Sequence, residues 1–203
     1  MTDYFALLKQ ARRPWLDPEL LNKEFLAVSA EVHPDRVHGA ADAEKREALD
    51  RYIQLNAAYN CLREPKDRLR HLLELERSGP QSREAQNVPG EWMGLFAEVS
   101  ATCREADSII AETVKVISPL LKVQMFERQQ GQIEKLITLQ KQVNEWREEA
   151  ILKVKTLDSG WLTSQGNAQR SHMLQELEEL WRLLSYVGKW ANQIQERIVQ
   201  LTI

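Results

Sequence analysis

Apolar residues recur along this chain at alternating steps of four and three, the spacing that places them on one face of a helix. Leu21, Phe25, Val28 and Val32 form one such face, and Ala48, Tyr52, Leu55, Tyr59 and Leu62 form a second. Asp17 followed by Pro18 is a cap-then-proline helix start, and Asp3 can cap a shorter helix bearing Phe5 and Leu8. Pro34 stops the first long helix, since the residue before a proline is pushed out of helical geometry. Pro65 opens a last short helix through Leu69, Leu72 and Leu73. Residues 1–77 therefore predict an antiparallel helical hairpin with short flanking helices.

Residues 78–90, SGPQSREAQNVPG, hold two Pro and two Gly with almost nothing apolar, and predict a linker. The pattern then resumes over residues 91–203 in longer runs. Trp92, Phe96, Val99, Cys103, Ala106 and Ile110 make one stripe, which Pro119 permits to break. A second takes in Phe126, Ile133, Leu136, Val143, Trp146, Ala150, Val154 and Leu157. After the turn-rich SGWLTSQGN, the third and most regular runs through Leu177, Leu180, Leu184, Val187, Ala191, Ile194, Ile198 and Leu201. Near-heptad spacing favours helices packed at shallow angles, hence a long three-helix bundle or an antiparallel coiled-coil-like domain. No stretch alternates as a strand would, so the fold class is all-α.

Composition narrows the function more than the fold. The 203 residues carry a net charge of −3, which gives no general attraction for nucleic acid or an anionic membrane, though a local basic patch stays open. No stretch has the length and apolarity of a spanning segment or a signal peptide. Two isolated cysteines, Cys61 and Cys103, form no disulfide framework and suit a cytoplasmic protein with buried thiols. Glycine-rich phosphate loops, HExxH and nucleophile elbows are absent from the sequence, so no enzyme activity and no cofactor are expected. The apolar stripe of the third run is compatible with a monomer or a homodimer.

The residues with the most specific chemistry stand where the first hairpin turns. His33, Pro34, Asp35 and Arg36 combine a helix stop with short polar groups and a charged donor, on a turn that can be rigid and exposed at once. A metal site built from His33, Asp35, His38 and Asp42 is the weaker reading, because it would sit in a loop with the other histidines remote in sequence.

DYFALL at residues 3–8, EVHPDR at 31–36 and LNAAYNCLREPKDRLRHLLEL at 55–75 occur in that order, and together they resemble a J domain, the co-chaperone module of DnaK-type (Hsp70) chaperones. The resemblance is strongest to the iron-sulfur cluster co-chaperones called HscB. It implies that His33, Pro34 and Asp35 stimulate a chaperone's ATPase after docking, aided by Arg36 and Lys23, while Asn56, Ala58, Tyr59 and Leu62 serve as scaffold. In one respect the chain departs from the pattern: from Pro18 to Val32 it has Lys23 against Glu19, Glu24 and Glu31, 1 − 3 = −2, where such domains are basic. Arg36, Lys66, Arg68 and Arg70 are the cations that could compensate.

For the second domain, the resemblance implies client binding near its first helix, with an iron-sulfur scaffold protein as the partner. Trp92, Met93, Phe96 and Glu98 are the residues in that place. The rival reading is an assembly factor that keeps the J-like fold without activating a chaperone.

Overall fold

The computed structural model describes residues 2–33, 39, 41–77, 90–163 and 167–202. Seven α-helices are found among them: α1 (Tyr4–Leu7), α2 (Pro18–Glu31), α3 (Asp42–Arg63), α4 (Pro65–Glu76), α5 (Met93–Thr113), α6 (Pro119–Trp161) and α7 (Asn167–Thr202). Among the described residues there is no strand. The chain divides into two compact units, Met1–Gln81 with Ile151–Trp181, and Ser82–Ala150 with Arg182–Ile203. α6 and α7 each contribute one segment to either unit.

In the first unit the helix starts follow local chemistry. The Asp3 carboxylate accepts from the Phe5 and Ala6 N–H groups, and Asp17 accepts from Glu19 and Leu20, satisfying donors that a helix N-terminus leaves free. α1 closes with Lys9 in the left-handed region at φ 53°, its N–H donating to Ala6 O while Gln10 N–H donates to Phe5 O. That pattern normally recruits glycine, so Lys9 carries some strain there.

α2 and α3 run antiparallel. Tyr59 Oη donates to Asn22 Oδ1 at 3.1 Å, Phe25 stacks on Tyr59 at 4.2 Å, and His33 meets Tyr52 edge-on at 5.3 Å. Leu21, Val28, Leu55 and Leu62 are buried between them, as the periodicity predicts, and Ala58 is buried with them.

α4 returns against α1. His71 is buried, stacks on Tyr4 and Phe5 at 4.5 and 5.8 Å, and accepts the Tyr4 N–H on Nε2 at 3.0 Å. That bond requires an unprotonated Nε2. Burial holds the His71 pKa below its ordinary value of 6.5, with Asp3 opposing and Arg70 and Arg12 assisting. The unfolded chain therefore takes the proton first. The stabilisation is complete above the unfolded pKa and is lost as pH falls through the lower folded pKa. Melting temperatures measured from about pH 7.5 down to pH 5 should fall more steeply for the wild type than for His71→Gln. Parallel profiles for the two proteins would rule this out.

The connector between α1 and α2 is fixed by polar side chains inside this unit. Arg13 forms a bidentate ion pair with the buried Asp158 of α6, Nε lying 3.0 Å from Oδ1, and Trp15 N–H donates to the same carboxylate at 3.1 Å. Arg68, only 2% exposed, donates to Pro14 O at 2.8 Å and to Leu62 O at 2.7 Å, and its guanidinium lies 5.3 Å from the Trp15 ring centre. Trp161 is 1% exposed and its indole N–H donates to Arg12 O at 2.8 Å. Arg170 lies 3.2 Å over the Trp161 ring and donates to Trp161 O and to Glu76.

The second unit is a three-helix bundle. Arg128 pairs with Glu112, Gln132 donates to Thr102 O and Lys135 pairs with Glu105, so α6 runs antiparallel to α5. α7 runs parallel to α5, with Trp92 against Tyr186, Phe96 against Trp190, and Arg197 paired with Asp107 at 3.0 Å. Leu95, Val99, Cys103, Ala106 and Ile109 fill the α5 side of the core, and Leu136, Val143, Leu184, Val187 and Ile194 fill the rest.

Three expectations need correction, the first on α5, where Leu95 and Ile109 are the buried residues beside the positions, Phe96 and Ile110, that the spacing named. Phe126 is exposed and Met125 is buried in its place, because the stripe at the start of α6 lies one residue earlier than the sequence spacing suggested. SGWLTSQGN is not a turn from its first residue: α6 continues through Trp161, held there by the contacts of its buried indole.

Candidate partner-docking site

α2 ends at Glu31, with Val32 as its C-cap, and His33 follows directly. His33 is half-buried against Tyr52, so the backbone leaving α2 is anchored on α3 before the turn begins. Pro34, Asp35 and Arg36 of the predicted docking set lie outside the described residues. Beside His33 a shallow depression of about 230 Å³ is lined by Glu31, Glu44, Glu47 and Arg51 among others. Arg51 is held by Glu47 at 2.5 Å, which leaves this rim mainly acidic.

Among the described residues, cations near α2 are few. Lys23 is exposed on it, between Glu19 and the half-buried Glu24. Lys9, which the sequence reading passed over, lies 3.9 Å from Glu31 at the other end. Its proximity depends on the left-handed turn at Lys9, for which the sequence offers no glycine signal. Of the cations named as compensating, Lys66 and Arg70 are exposed on α4. Arg68 is not available: its guanidinium is buried and engaged with Pro14 O and Leu62 O, and burial pushes its pKa down to about 10. The α4 periodicity puts Arg68 beside Leu69 and Leu72, and only the packing shows that it belongs to the core with them.

In the second unit the predicted client residues separate. Met93, Phe96 and Glu98 are exposed on α5, whereas Trp92 is buried. An aromatic cluster backs them, Tyr186 stacking on Trp190 at 5.8 Å and Trp190 lying 6.3 Å from Phe96. Tyr186 and Trp190 fall beside the Leu184, Val187 and Ala191 stripe, so the heptad reading missed them. Both thiols are held toward the protonated form: burial pushes Cys61 up to about 11, aided by Asp67, and also raises Cys103.

No family model matches the chain. It is 34% identical over 91 residues to a co-chaperone protein HscB homolog of Chromobacterium violaceum, covering 45% of this chain and 52% of that one. The HscB homolog of Bordetella pertussis is 43% identical over 72 residues, 36% of this chain and 42% of the relative. That of Burkholderia mallei is 33% identical over 118 residues, 58% and 66% of the two chains. The chain thus spans about half the length of the curated relatives it matches. Chaperone HscB from Vibrio cholerae superimposes with a TM-score of 0.63 at 21% identity, over 98% of this chain and 99% of that one. Human co-chaperone protein HscB gives 0.61 at 19% identity, over 100% and 83%. These two show a shared fold along nearly the whole chain, while the sequence matches show descent over part of it. By sequence the chain is homologous, over part of its length, to J-domain co-chaperones of the HscB family, and it shares their fold along nearly the whole chain.

Proposed function

We propose that this protein is a non-enzymatic co-chaperone: the turn at His33, Pro34 and Asp35 docks on a DnaK-type (Hsp70) chaperone and triggers its ATPase, while the helical bundle presents a client. The observation that carries the reading is the hairpin itself. α2 stops at the HPD string and His33 is packed on Tyr52, so the turn starts from a fixed point. Anchoring the chain at His33 lowers the ordering cost of docking. Coupling the turn's site on the chaperone to its client site would then give two inputs to one hydrolysis step.

The acidic balance of α2 favours a second reading, an assembly factor that no longer docks productively. Like charges facing an acidic partner slow association. Binding of the ATP-loaded chaperone from the same organism, followed by interferometry, separates the two. The co-chaperone reading expects saturable binding that weakens in Asp35→Asn. The assembly reading expects none.

For the client, an iron-sulfur scaffold protein is the partner that the family resemblance implies, and Met93, Phe96 and Glu98 are its contacts in this proposal. Truncating Met93 and Phe96 together to alanine should weaken scaffold binding by about tenfold or more. The stability change should stay within about 1 kcal/mol, since both side chains are exposed. Trp92→Ala should instead lower the melting temperature, as a core deletion does. Calorimetric titration with the scaffold protein reads the first effect. Unchanged affinity in the double variant would remove this face from the proposal.

A further inference from the structure

The bundle carries a second feature that neither the hairpin turn nor the α5 client face uses. Residues 113–126, TVKVISPLLKVQMF, close α5 and open α6, and they contain Lys115 and Lys122 but no carboxylate. Val114 and Ile117 are 85% and 89% exposed. Leu120, Leu121, Val123 and Phe126 are exposed as well, with only Met125 turned inward among the large apolar residues of α6's first two turns. At about 100° per residue, the four exposed α6 side chains project on several sides of the helix rather than along one stripe. The connector is nevertheless ordered by backbone hydrogen bonds, Lys115 N–H to Glu112 O, Val116 N–H to Thr113 O and Lys122 N–H to Ser118 O.

Such a patch is larger than the scattered apolar residues a soluble surface ordinarily shows. A folded protein partner would have to enclose side chains so exposed, and set on several sides of the helix, in a pocket. A lipid interface surrounds a protruding tip on every side without one. The charges agree with that occupant. Lys115 and Lys122 form no ion pair among the described residues, whereas neighbouring Glu112 is taken up by Arg128 at 2.7 Å and Glu127 stands just beyond the tip. Lysine stems can lie along apolar surface while their ammonium groups reach lipid phosphates.

We propose that the tip formed by residues 113–126 attaches the protein peripherally to an anionic lipid surface, with Ile117, Leu120 and Leu121 entering the interface and Lys115 and Lys122 pairing with headgroups. Attachment is at the surface only: among the described residues no helix is long and apolar enough to cross a membrane. The net charge of −3 gives the rest of the chain no general attraction for such a surface, so contact through the tip sets the orientation. This inference does not depend on the co-chaperone reading.

Flotation of the full chain with equimolar phosphatidylglycerol and phosphatidylcholine vesicles, and with phosphatidylcholine alone, tests it. The wild type should float with the anionic vesicles, and do so less at high salt. Ile117→Glu/Leu121→Glu and Lys115→Glu/Lys122→Glu should each reduce partitioning by about tenfold or more. Leu152→Glu, at an exposed apolar site elsewhere, should leave it unchanged. All the substituted residues are exposed, and circular dichroism confirms that the variants fold. Failure of the wild type to float, equal flotation with neutral vesicles, or indifference to the tip variants would overturn the proposal. So would sedimentation showing that the wild type is a dimer which Ile117→Glu/Leu121→Glu dissociates, since the tip would then join two copies.

Discussion

Replacing Trp161 with alanine should cost the fold about 3–5 kcal/mol, the largest single effect expected in this chain. The side chain is essentially inaccessible, so its removal leaves a cavity that the surrounding helices fill only in part. Two further losses add to it. Arg12 O loses the indole donor, and an unsatisfied carbonyl costs about 1–3 kcal/mol when it stays dry. The Arg170 guanidinium loses the ring beneath it, although its bonds to Glu76 and to the residue 161 carbonyl can persist. Urea denaturation measures the sum. Leu162→Ala, at an exposed neighbour, should change stability by less than about 0.5 kcal/mol and serves as the control. A loss below about 1 kcal/mol in Trp161→Ala would mean that the indole does not anchor this unit.

The second large effect is expected at Arg68. Its two carbonyl partners have no other donor in the described contacts: Leu62 O belongs to the last turn of α3, and Pro14 O to the connector before α2. A cation there also complements the negative end of the α3 dipole. Arg68→Met keeps most of the volume but strands both carbonyls, and should cost about 2–4 kcal/mol. Removing the buried charge also relieves a desolvation penalty, which holds the loss below the Trp161 figure. Arg68→Lys, able to reach one carbonyl, should fall between the two. If Arg68→Met were as stable as the wild type in the same urea series, the hydrogen bonds would be balanced by desolvation and the connector would be held by Asp158 and Trp161 alone.

Most of the local structure was readable in the residues. The caps at Asp3 and Asp17, the end of α2 at Glu31 and the paired stripes of α2 and α3 are effects between near neighbours in sequence. The contacts that fix the connector are of another kind. Arg13 with Asp158, Trp15 with Asp158 and Arg12 with Trp161 lie 145, 143 and 149 residues apart. Periodicity records which face of a helix is apolar, and a buried Arg or Asp interrupts that face without naming its partner. Arg68 therefore read as a surface cation, and Trp161 as part of a turn. Phe126 and Met125 show the same limit at one residue's resolution: both are apolar, and only packing decides which points inward. At the candidate sites, exposure separates Met93 and Phe96 from Trp92, a distinction that three apolar residues at a helix start could not supply.

The central claim, that the turn after α2 activates a chaperone, is tested most directly by single-turnover ATP hydrolysis. The DnaK-type chaperones of the same organism would be assayed alone, with the wild-type chain and with Asp35→Asn, both proteins checked for folding by circular dichroism. Co-chaperone function predicts faster hydrolysis with the wild type and the unstimulated rate with the folded variant. No acceleration of any of these chaperones by well-folded wild type, or equal acceleration by both proteins, would contradict it.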